Sequence, residues 1–205
     1  KAKLVEEPAM FQLRVTLRTA AQATLPAQPE RAPYVDPGVL ATGRRFYAGD
    51  FHVHSLQSGD AGPTLDEIAT VARERGLDFV VITDHNTHTA LDFMNDAQAR
   101  HPDLLFVPGV EFTTYAGHAN AIGATEWVDH RIGVEGATIE AAAAAYREQG
   151  ALFSINHPAL DLGDICIGCS WGHTLDDQAI DAVEIMTGAS AIAQSGFLPT
   201  SLRFW

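Results

Sequence analysis

The sequence predicts an α/β protein in which a mostly parallel sheet curls towards a barrel with helices outside. From Arg45 onward, short apolar segments alternate with amphipathic helical segments, which is typical of strand–helix–strand units. Polar residues suited to metal binding follow several different strands. A barrel brings many strand ends together, whereas an open sheet focuses ligands at one point. The chain has 205 residues, which is enough for one core of this kind.

Three helices are predicted from threonines whose side chains can accept hydrogen bonds from unpaired backbone amides. Thr64-Leu-Asp-Glu67 forms a capping box, in which each side chain caps the other residue's backbone. Five consecutive alanines give the third helix high intrinsic helicity. The helices are expected to begin after Thr64, Thr89 and Thr138 and to end at Gly76, near Arg100 before Pro102, and at Gly150.

Strands are predicted where β-branched and aromatic residues cluster. A first strand carries residues 50–54, and the run at 79–83 suits a strand buried on both faces. Pro108 and Gly109 are expected to break the region 104–114 into two strands. Further strands are expected at 119–122, 151–155 and 182–186.

Residues 1–47 have a different pattern. Alternation of apolar and polar residues at 11–18 predicts a half-exposed strand. Prolines at positions 26, 29, 33 and 37 then predict an extended linker. We therefore interpret the chain as an N-terminal strand and proline-rich linker, 1–47, followed by a catalytic domain, 48–205.

The charge and hydropathy of the chain limit its partners. A formal net charge of −13 argues against binding to a nucleic-acid backbone, which requires a basic face. No apolar run reaches the ~20 residues of a membrane span. A small-molecule substrate is the expected partner.

Cys166 and Cys169 are the only cysteines. Their spacing allows a disulfide that staples the loop, two free thiols, or half of a metal site with His173 nearby. A disulfide would place the protein outside the cytoplasm, in the periplasm or secreted.

His52 and His54 form the first candidate metal-binding pair. They lie two residues apart near the end of a predicted strand, so their side chains point to the same face. Two imidazoles on one face can grip a metal ion. The alternative is a pair of polar residues that face solvent.

Glu111 lies in a strand of otherwise apolar residues. A buried glutamate costs several kcal/mol unless it is paired or bound to a metal, so it is expected to bridge two cations. The alternative is an outward-facing glutamate on an edge strand.

His85 follows Asp84 directly after the strand at 79–83. One of the two could bind a metal while the other orients a ligand. Asp60 could bind from the loop after the first strand, or it could be an ordinary turn aspartate.

His157 and His118 also occupy strand ends. Pro158 is expected to force an extended backbone at His157, and a core histidine that donates to a carbonyl group is the alternative. Gly117 lets the backbone at His118 approach closely, with a surface-loop histidine as the alternative.

The remaining histidines lack such a setting and are expected at the surface: His88, His101, His130 and His173. His130 and Arg131 together are retained as a hypothetical contact for a substrate anion.

Five motifs in this order resemble those of the PHP superfamily (polymerase and histidinol phosphatase). The similarity covers residues 46–190. The lead-in Arg44-Arg-Phe-Tyr-Ala-Gly-Asp50 is most similar to the carbaryl-hydrolase-like (CehA/McbA) branch. The motifs are Asp50-Phe-His52-Val-His54-Ser55, Thr83-Asp-His85-Asn86, Gly109-Val-Glu111-Phe112, Gly117-His118-Ala-Asn120 and Asn156-His157-Pro158.

The resemblance implies a distorted, TIM-like (β/α)7 barrel with two or three divalent ions (Zn, Mn or Fe) at the carboxyl ends of the strands. His52 and His54 would hold one ion with the bridging Glu111. His118 and His157 would complete the second site, and Asp60 with His85 would serve a third. Glu111, His85 and His157 are expected to take part in catalysis by a metal-bridging hydroxide.

Two departures from the family pattern stand out. The first-loop aspartate of the family lies five residues after the second histidine, where this chain has Gly59; Asp60 is six residues after His54. No Asp-x-His motif follows Met186. The barrel is therefore expected to be incomplete in this chain, with a further segment or a second chain supplying the rest.

The resemblance favours a hydrolase of phosphoesters. A hydrolase of carbamates or carboxylic esters with the same metal site is the alternative. A non-catalytic, metal-stabilised binding module is the second alternative, which the absent Asp-x-His motif would permit.

Overall fold

The computed structural model describes residues 40, 46–134, 136–163, 166, 168–188 and 197–204. The predicted strand at 11–18 and the proline-rich linker lie outside this part of the chain, apart from Leu40 and residues 46–47. The described strands form one mixed sheet in sequence order. They are β1 (Gly49–Val53), β2 (Phe79–Ile82), β3 (Leu105–Thr114), β4 (Gly117–Ile122), β5 (Leu152–Ile155) and β6 (Ala182–Val183).

The described sheet is mostly parallel, as predicted, with β4 as the exception. Strands β1, β2 and β3 are parallel and β5 is parallel to β6, but β4 is antiparallel to both of its neighbours. Only Tyr115 and Ala116 separate β3 from β4, and so short a connection can join antiparallel strands only.

Strand β3 is continuous, so the predicted break at Pro108 and Gly109 is wrong. At this point the strand changes partner: Pro108 pairs with Ile82 of β2, whereas Gly109 pairs with Ile122 of β4. The carbonyl of Pro108 accepts a hydrogen bond from the amide of Gly123 at 2.8 Å. A Cβ atom at Gly109 would lie 3.0 Å from a methyl group of Val81, so glycine allows close packing here.

Helix α1 (Leu65–Glu74) begins with the predicted capping box: Thr64 N donates to Glu67 Oε2 at 2.8 Å, and Glu67 N donates to Thr64 Oγ1 at 3.3 Å. Helix α3 (Ile139–Glu148) is capped by Thr138, as predicted. Two more helical segments lie near the end of the chain, a 3-10 helix (Asp177–Ala179) and α4 (Phe197–Phe204). None of the helices in the described part of the chain has the length and hydropathy needed to cross a bilayer.

Helix α2 (Leu91–Arg100) ends before Pro102, as predicted, but Thr89 does not cap it. Ala90 precedes the first turn, and no side chain caps the helix. The Thr89 hydroxyl instead lies 2.8 Å from the Thr87 hydroxyl. A local hydrogen bond in the loop therefore competes successfully with the cap.

Among the described residues, two large apolar cores flank the sheet. Helices α1 and α2 pack on β2 and the first half of β3 around Phe106 and Met94, while α3 packs on the antiparallel part around Phe112, Tyr146 and Phe153. The strands curl into a half-barrel. Asn120 on β4 donates to the carbonyl of Phe51 on β1 at 2.9 Å, although these strands are not neighbours in the sheet. The curl brings the ends of distant strands together on the inner side.

Candidate metal centre

The carboxylate of Glu111 lies at the centre of the inner side of the half-barrel. Its side chain is 1% exposed, and imidazole rings from five histidines surround it. Oε1 is 3.3 Å from His52 Nε2, 3.3 Å from His118 Nδ1 and 3.4 Å from His157 Nε2. Oε2 is 3.0 Å from His54 Nε2 and 2.9 Å from His85 Nδ1.

The strand order explains why these side chains meet. His52 lies on β1 and His54 follows it, His118 lies on β4, and His157 follows β5. His85 follows β2, where it makes an isolated bridge to Glu111 on β3. The carboxyl ends of β1, β2 and β5 all lie at the same end of the curled sheet. Residues far apart in sequence therefore reach one carboxylate. The structure thus brings together all five histidines that the sequence singled out, while their roles as metal ligands remain a prediction.

The charges of this cluster are strongly coupled. Burial would raise the pKa of Glu111, but the neighbouring imidazoles of His118, His157, His52 and His54 hold that pKa well below its ordinary value. Burial would lower the pKa of His52, but Glu111 and Glu184 outweigh it and raise that pKa to about 10. The cluster is therefore built to keep a carboxylate ionised inside the protein.

Asp60 reaches the cluster despite its position six residues after His54. One of its oxygens lies 3.1 Å from His54 Nδ1 and 3.4 Å from His85 Nε2. Gly59 has a φ of +88°, which glycine adopts without strain and which turns the loop at this point. His54, Asp60 and His85 form one group of ligand atoms within 4.8 Å of one another.

Asp84, by contrast, does not face the cluster. It is buried and accepts hydrogen bonds from the Ser55 backbone amide at 2.6 Å and from the Ser55 hydroxyl at 2.7 Å. Of the adjacent residues Asp84 and His85, it is therefore His85 that points to Glu111. Asp84 holds the backbone that follows His54.

Asn156 also contacts Glu111. It is buried, and its Nδ2 donates to Glu111 Oε1 at 2.8 Å and to Asn120 Oδ1 at 2.8 Å. Asn156 belongs to the motif Asn156-His157-Pro158, in which a role was predicted for His157 only.

Glu184 is the residue of the cluster that the sequence analysis missed. It follows β6, and Oε1 lies 3.2 Å from His52 Nδ1 while Oε2 accepts a hydrogen bond from the His157 amide at 2.8 Å. The sequence contains a signal that could have identified it. Like Glu111, Glu184 is the single carboxylate in an otherwise apolar segment, the predicted strand 182–186. That strand is shorter than predicted and ends at Val183.

The backbone at His157 is not extended, which corrects the expectation drawn from Pro158. Its φ is +27°, in the left-handed region. Two contacts hold the residue there: its amide donates to Glu184, and ring Nδ1 lies 2.9 Å from the carbonyl oxygen of Cys169. These tertiary contacts override the preference that proline imposes on the preceding residue.

Cys166 and Cys169 form a disulfide, one of the alternatives left open by their spacing. Because its sulfur is in the disulfide, Cys169 does not offer a thiolate. Its carbonyl oxygen orients His157 instead.

The other histidines occupy varied settings. His88 is buried, so its expected surface position is wrong: the loop before α2 folds it inward. His101 contacts Asp66 on α1, with His101 Nε2 2.6 Å from Asp66 Oδ1. His130 and His173 line a cavity.

This cavity has a volume of about 630 Å³ and adjoins the cluster, since Thr113 lines it and Thr113 Oγ1 lies 2.5 Å from His85 Nδ1. Arg131 also lines it, but two hydrogen bonds of 2.9 and 2.7 Å join its guanidinium to Asp129 and compensate its charge. The rest of the wall combines apolar and hydroxyl side chains: Ile132, Val134, Ala116, Tyr115 and Thr114, with Asn86.

The residues around Glu111 fit divalent ions. In the described part of the chain, its ion-pair partners are all histidines, and imidazole with carboxylate suits zinc, manganese or iron. His118 is buried, yet neither ring nitrogen makes a hydrogen bond to any described residue. Nε2 atoms of His52 and His54 face each other at 3.2 Å beside Glu111, an arrangement that a shared cation would stabilise. His52, His54 and Glu111 form one ligand group within 4.8 Å.

Fold and cluster together define an α/β protein with a candidate site for several divalent ions. The chain belongs to the PHP domain family, which matches residues 50–161. Family membership and the cluster of histidines and carboxylates support a metal-dependent hydrolase.

Two solved structures are similar to the chain. One is a protein from Bifidobacterium adolescentis proposed to be a metal-dependent phosphoesterase, with 13% identity over 77% of this chain and 84% of that chain and a TM-score of 0.48. The other is an amidohydrolase from Chromobacterium violaceum with bound sulfate and no metal, with 14% identity over 67% of this chain and 76% of that chain and a TM-score of 0.43. A comparison with curated protein sequences finds no match.

Proposed function

We propose that this chain is a metal-dependent hydrolase of phosphoesters. The observation that carries the proposal is the buried Glu111 carboxylate enclosed by five imidazoles from the ends of several strands. A cluster of so many metal-type donors around one buried carboxylate is costly to bury unless it binds cations.

The ligand groups suggest how two or three ions would be held. His52, His54 and Glu111 would hold the first, and Glu111 with His118 and His157 the second. Asp60 and His85 would hold a third. The bound ions would supply a hydroxide nucleophile from water at neutral pH and would polarise the scissile group.

The residues themselves position the substrate. His85 has the most exposed side chain of the five histidines, at 29%, and it lies beside the cavity. A substrate would therefore enter on the side of His85 and Asp60, with its leaving group in the cavity. Glu111 and His157, which are buried, would fix the positions of the metal ions from the inner, buried side of the site. These roles keep Glu111, His85 and His157 as the proposed catalytic residues.

The cavity favours a second candidate function, hydrolysis of carbamates or carboxylic esters. Its wall offers apolar contacts through Ile132 and Val134, and the charge of Arg131 is compensated by Asp129. Such a wall suits a neutral, partly apolar leaving group as well as a phosphoester. The carbaryl-hydrolase-like resemblance of the lead-in to β1 agrees with this alternative.

Completion of the barrel is part of the same proposal. Strands β1 and β6 are the two edges of the described sheet. We propose that a seventh strand, from a further segment or a second chain, covers an edge and supplies additional ligands. The disulfide supports a proposed location in the periplasm or outside the cell.

The first experiment is metal analysis by elemental mass spectrometry on protein of known intact mass. Two or three equivalents of zinc, manganese or iron are expected. Chromogenic phosphomonoesters and phosphodiesters are then compared with an aryl carbamate, each with added Mn²⁺ or Zn²⁺. If a naphthol is released from the carbamate but no phosphoester is hydrolysed, the alternative function, hydrolysis of carbamates or carboxylic esters, is supported. Bound metal without any turnover would favour a non-catalytic module.

A matched pair of variants connects activity to the cluster. Glu111→Gln keeps the shape of the side chain but removes the bridging carboxylate, so metal content and activity should both fall by more than tenfold. Glu148→Gln removes the same charge from the exposed surface of α3 and should change neither. Full metal binding by the Glu111→Gln variant would contradict the proposal.

A further inference from the structure

Glu184 connects two histidines of the cluster through both of its carboxylate oxygens. The two oxygens lie 3.2 and 3.3 Å from His52 Nδ1, and Oε2 also accepts the backbone amide of His157 at 2.8 Å. Glu184 is 15% exposed and follows β6, whereas His52 lies on β1. The contact therefore joins the two edge strands of the described sheet at their carboxyl ends.

The contact with His52 determines which ring nitrogen faces the cluster. Nδ1 faces Glu184, while Nε2 lies 3.3 Å from Glu111 Oε1 and 3.2 Å from His54 Nε2. When Nδ1–H donates to a carboxylate, the lone pair of the neutral ring is on Nε2. The nitrogen that faces Glu111 is then the one able to bind a cation.

The contact with His157 acts on the main chain. The residue has a φ of +27°, and its amide is held by Glu184 while ring Nδ1 is held by the Cys169 carbonyl. Ring Nε2 is thereby left facing Glu111 at 3.4 Å. The rings of His52 and His157 stack with centroids 5.5 Å apart, so displacement of one ring would disturb the other.

We propose that Glu184 is a positioning residue that fixes the tautomer of His52 and the backbone of His157, so that both Nε2 atoms face the metal centre. This inference rests on the proposed function. A direct ligand role is the competing interpretation, since His52, His157 and Glu184 form a group within 4.8 Å. The existing contacts argue against it, because both carboxylate oxygens are already engaged by hydrogen-bond donors.

The test measures zinc binding to the whole chain by competition with a chromogenic chelator. The Glu184→Gln variant removes the negative charge and exchanges one of the two acceptor oxygens for an NH2 donor, which weakens the contacts with His52 and His157. We expect its zinc affinity to fall about 10- to 100-fold while the number of ions bound at saturation stays the same. The Glu148→Gln control should bind like the unaltered protein.

Two results would overturn the inference. An unchanged affinity would show that Glu184 orients neither histidine, and a loss of one bound ion at saturation would make it a direct ligand. If the unaltered chain itself binds no zinc, the proposed function fails together with the inference. If the unaltered chain binds zinc and the Glu184→Gln variant binds it with the same affinity, the inference fails but the proposed function does not.

A spectroscopic readout is independent of activity. In the zinc-loaded protein labelled with ¹⁵N, the ring of His52 should show a protonated Nδ1 and a metal-bound Nε2; the opposite assignment would refute the proposal. Glu184→Asp serves as the second variant if Glu184→Gln does not fold. It keeps the charge but withdraws the carboxylate by one methylene, so its zinc affinity should lie between those of the unaltered chain and Glu184→Gln.

Discussion

Asn156 Nδ2 donates a hydrogen bond of 2.8 Å to Glu111 Oε1, and this contact joins the end of β5 to the centre of the histidine cluster. The same amide group donates to Asn120 Oδ1 at 2.8 Å, and Asn156 Oδ1 accepts from the backbone amide of Asn120 at 3.1 Å. All three side chains are buried. Glu111 is therefore held by a hydrogen-bonded network that links β3, β4 and the end of β5.

Removal of Asn156 should destabilise the fold. In the Asn156→Ala variant, buried groups of Glu111 and Asn120 lose their partners, which costs about 1–3 kcal/mol in the free energy of unfolding. Urea denaturation of the metal-free protein measures this difference. Asn95→Ala, on the exposed surface of α2, is the control and should stay within about 0.5 kcal/mol. Equal stability of the two variants would show that the network contributes nothing.

Metal removal should lower the thermal stability. A ligand that binds only the folded state at 100 times its Kd stabilises that state by about 2.7 kcal/mol. We therefore expect the midpoint of thermal unfolding to fall when a chelator removes the zinc. In the Glu111→Gln variant the difference between the two conditions should be much smaller. A chelator effect of the same size in that variant would place the bound metal elsewhere.

Zinc binding should release protons. Burial would lower the pKa of His52, but Glu111 and Glu184 raise it to about 10 in the metal-free protein, so the ring is protonated at pH 7.5. A metal ligand must be neutral, so each bound ion that uses His52 displaces a proton. Affinity should then rise with pH, by up to about tenfold per pH unit for one proton.

Calorimetry in buffers of different ionisation enthalpy counts these protons. His101→Gln is the control, since His101 pairs with Asp66 away from Glu111, and its proton release should equal that of the unaltered chain. Zinc binding without any proton release would contradict the protonated state of His52.

The cavity beside His85 offers a test of substrate charge. Arg131 is paired with Asp129, so Asp129→Asn should free the guanidinium for an anionic substrate. The KM for a phosphomonoester should fall by about two- to fivefold, in line with the energy of an exposed ion pair, while kcat is little changed. The KM for a neutral aryl carbamate should not change. A shift of both KM values by the same factor would mean that Arg131 does not sense the charge of the substrate.

Local patterns in the sequence were sufficient for much of the fold. The capping box at Thr64 and Glu67 determined where α1 begins, because its hydrogen bonds involve neighbouring residues only. The spacing of His52 and His54 predicted that they share a face, and in the structure both rings contact Glu111. Such features depend on the period of a strand or helix, which a short segment contains in full.

Other features depend on contacts between distant segments. The position of Pro108 predicted a break, but pairing with β2 on one side and β4 on the other keeps β3 continuous. His88 had no local signal of burial, and the left-handed backbone of His157 contradicts the preference imposed by Pro158. In each case tertiary packing outweighs a local preference of modest energy.

The sequence by itself determined which residue types could serve as metal ligands, their order along the chain and their positions in or after strands, because residue type and periodicity are local properties. Only the tertiary structure decided that five imidazoles converge on Glu111, that Asp60 reaches the cluster in spite of its spacing, and that Glu184 holds His52 and His157. The physical reason is the curl of the sheet. It brings the ends of β1 and β6 together across a sequence separation of 132 residues, which no local pattern records.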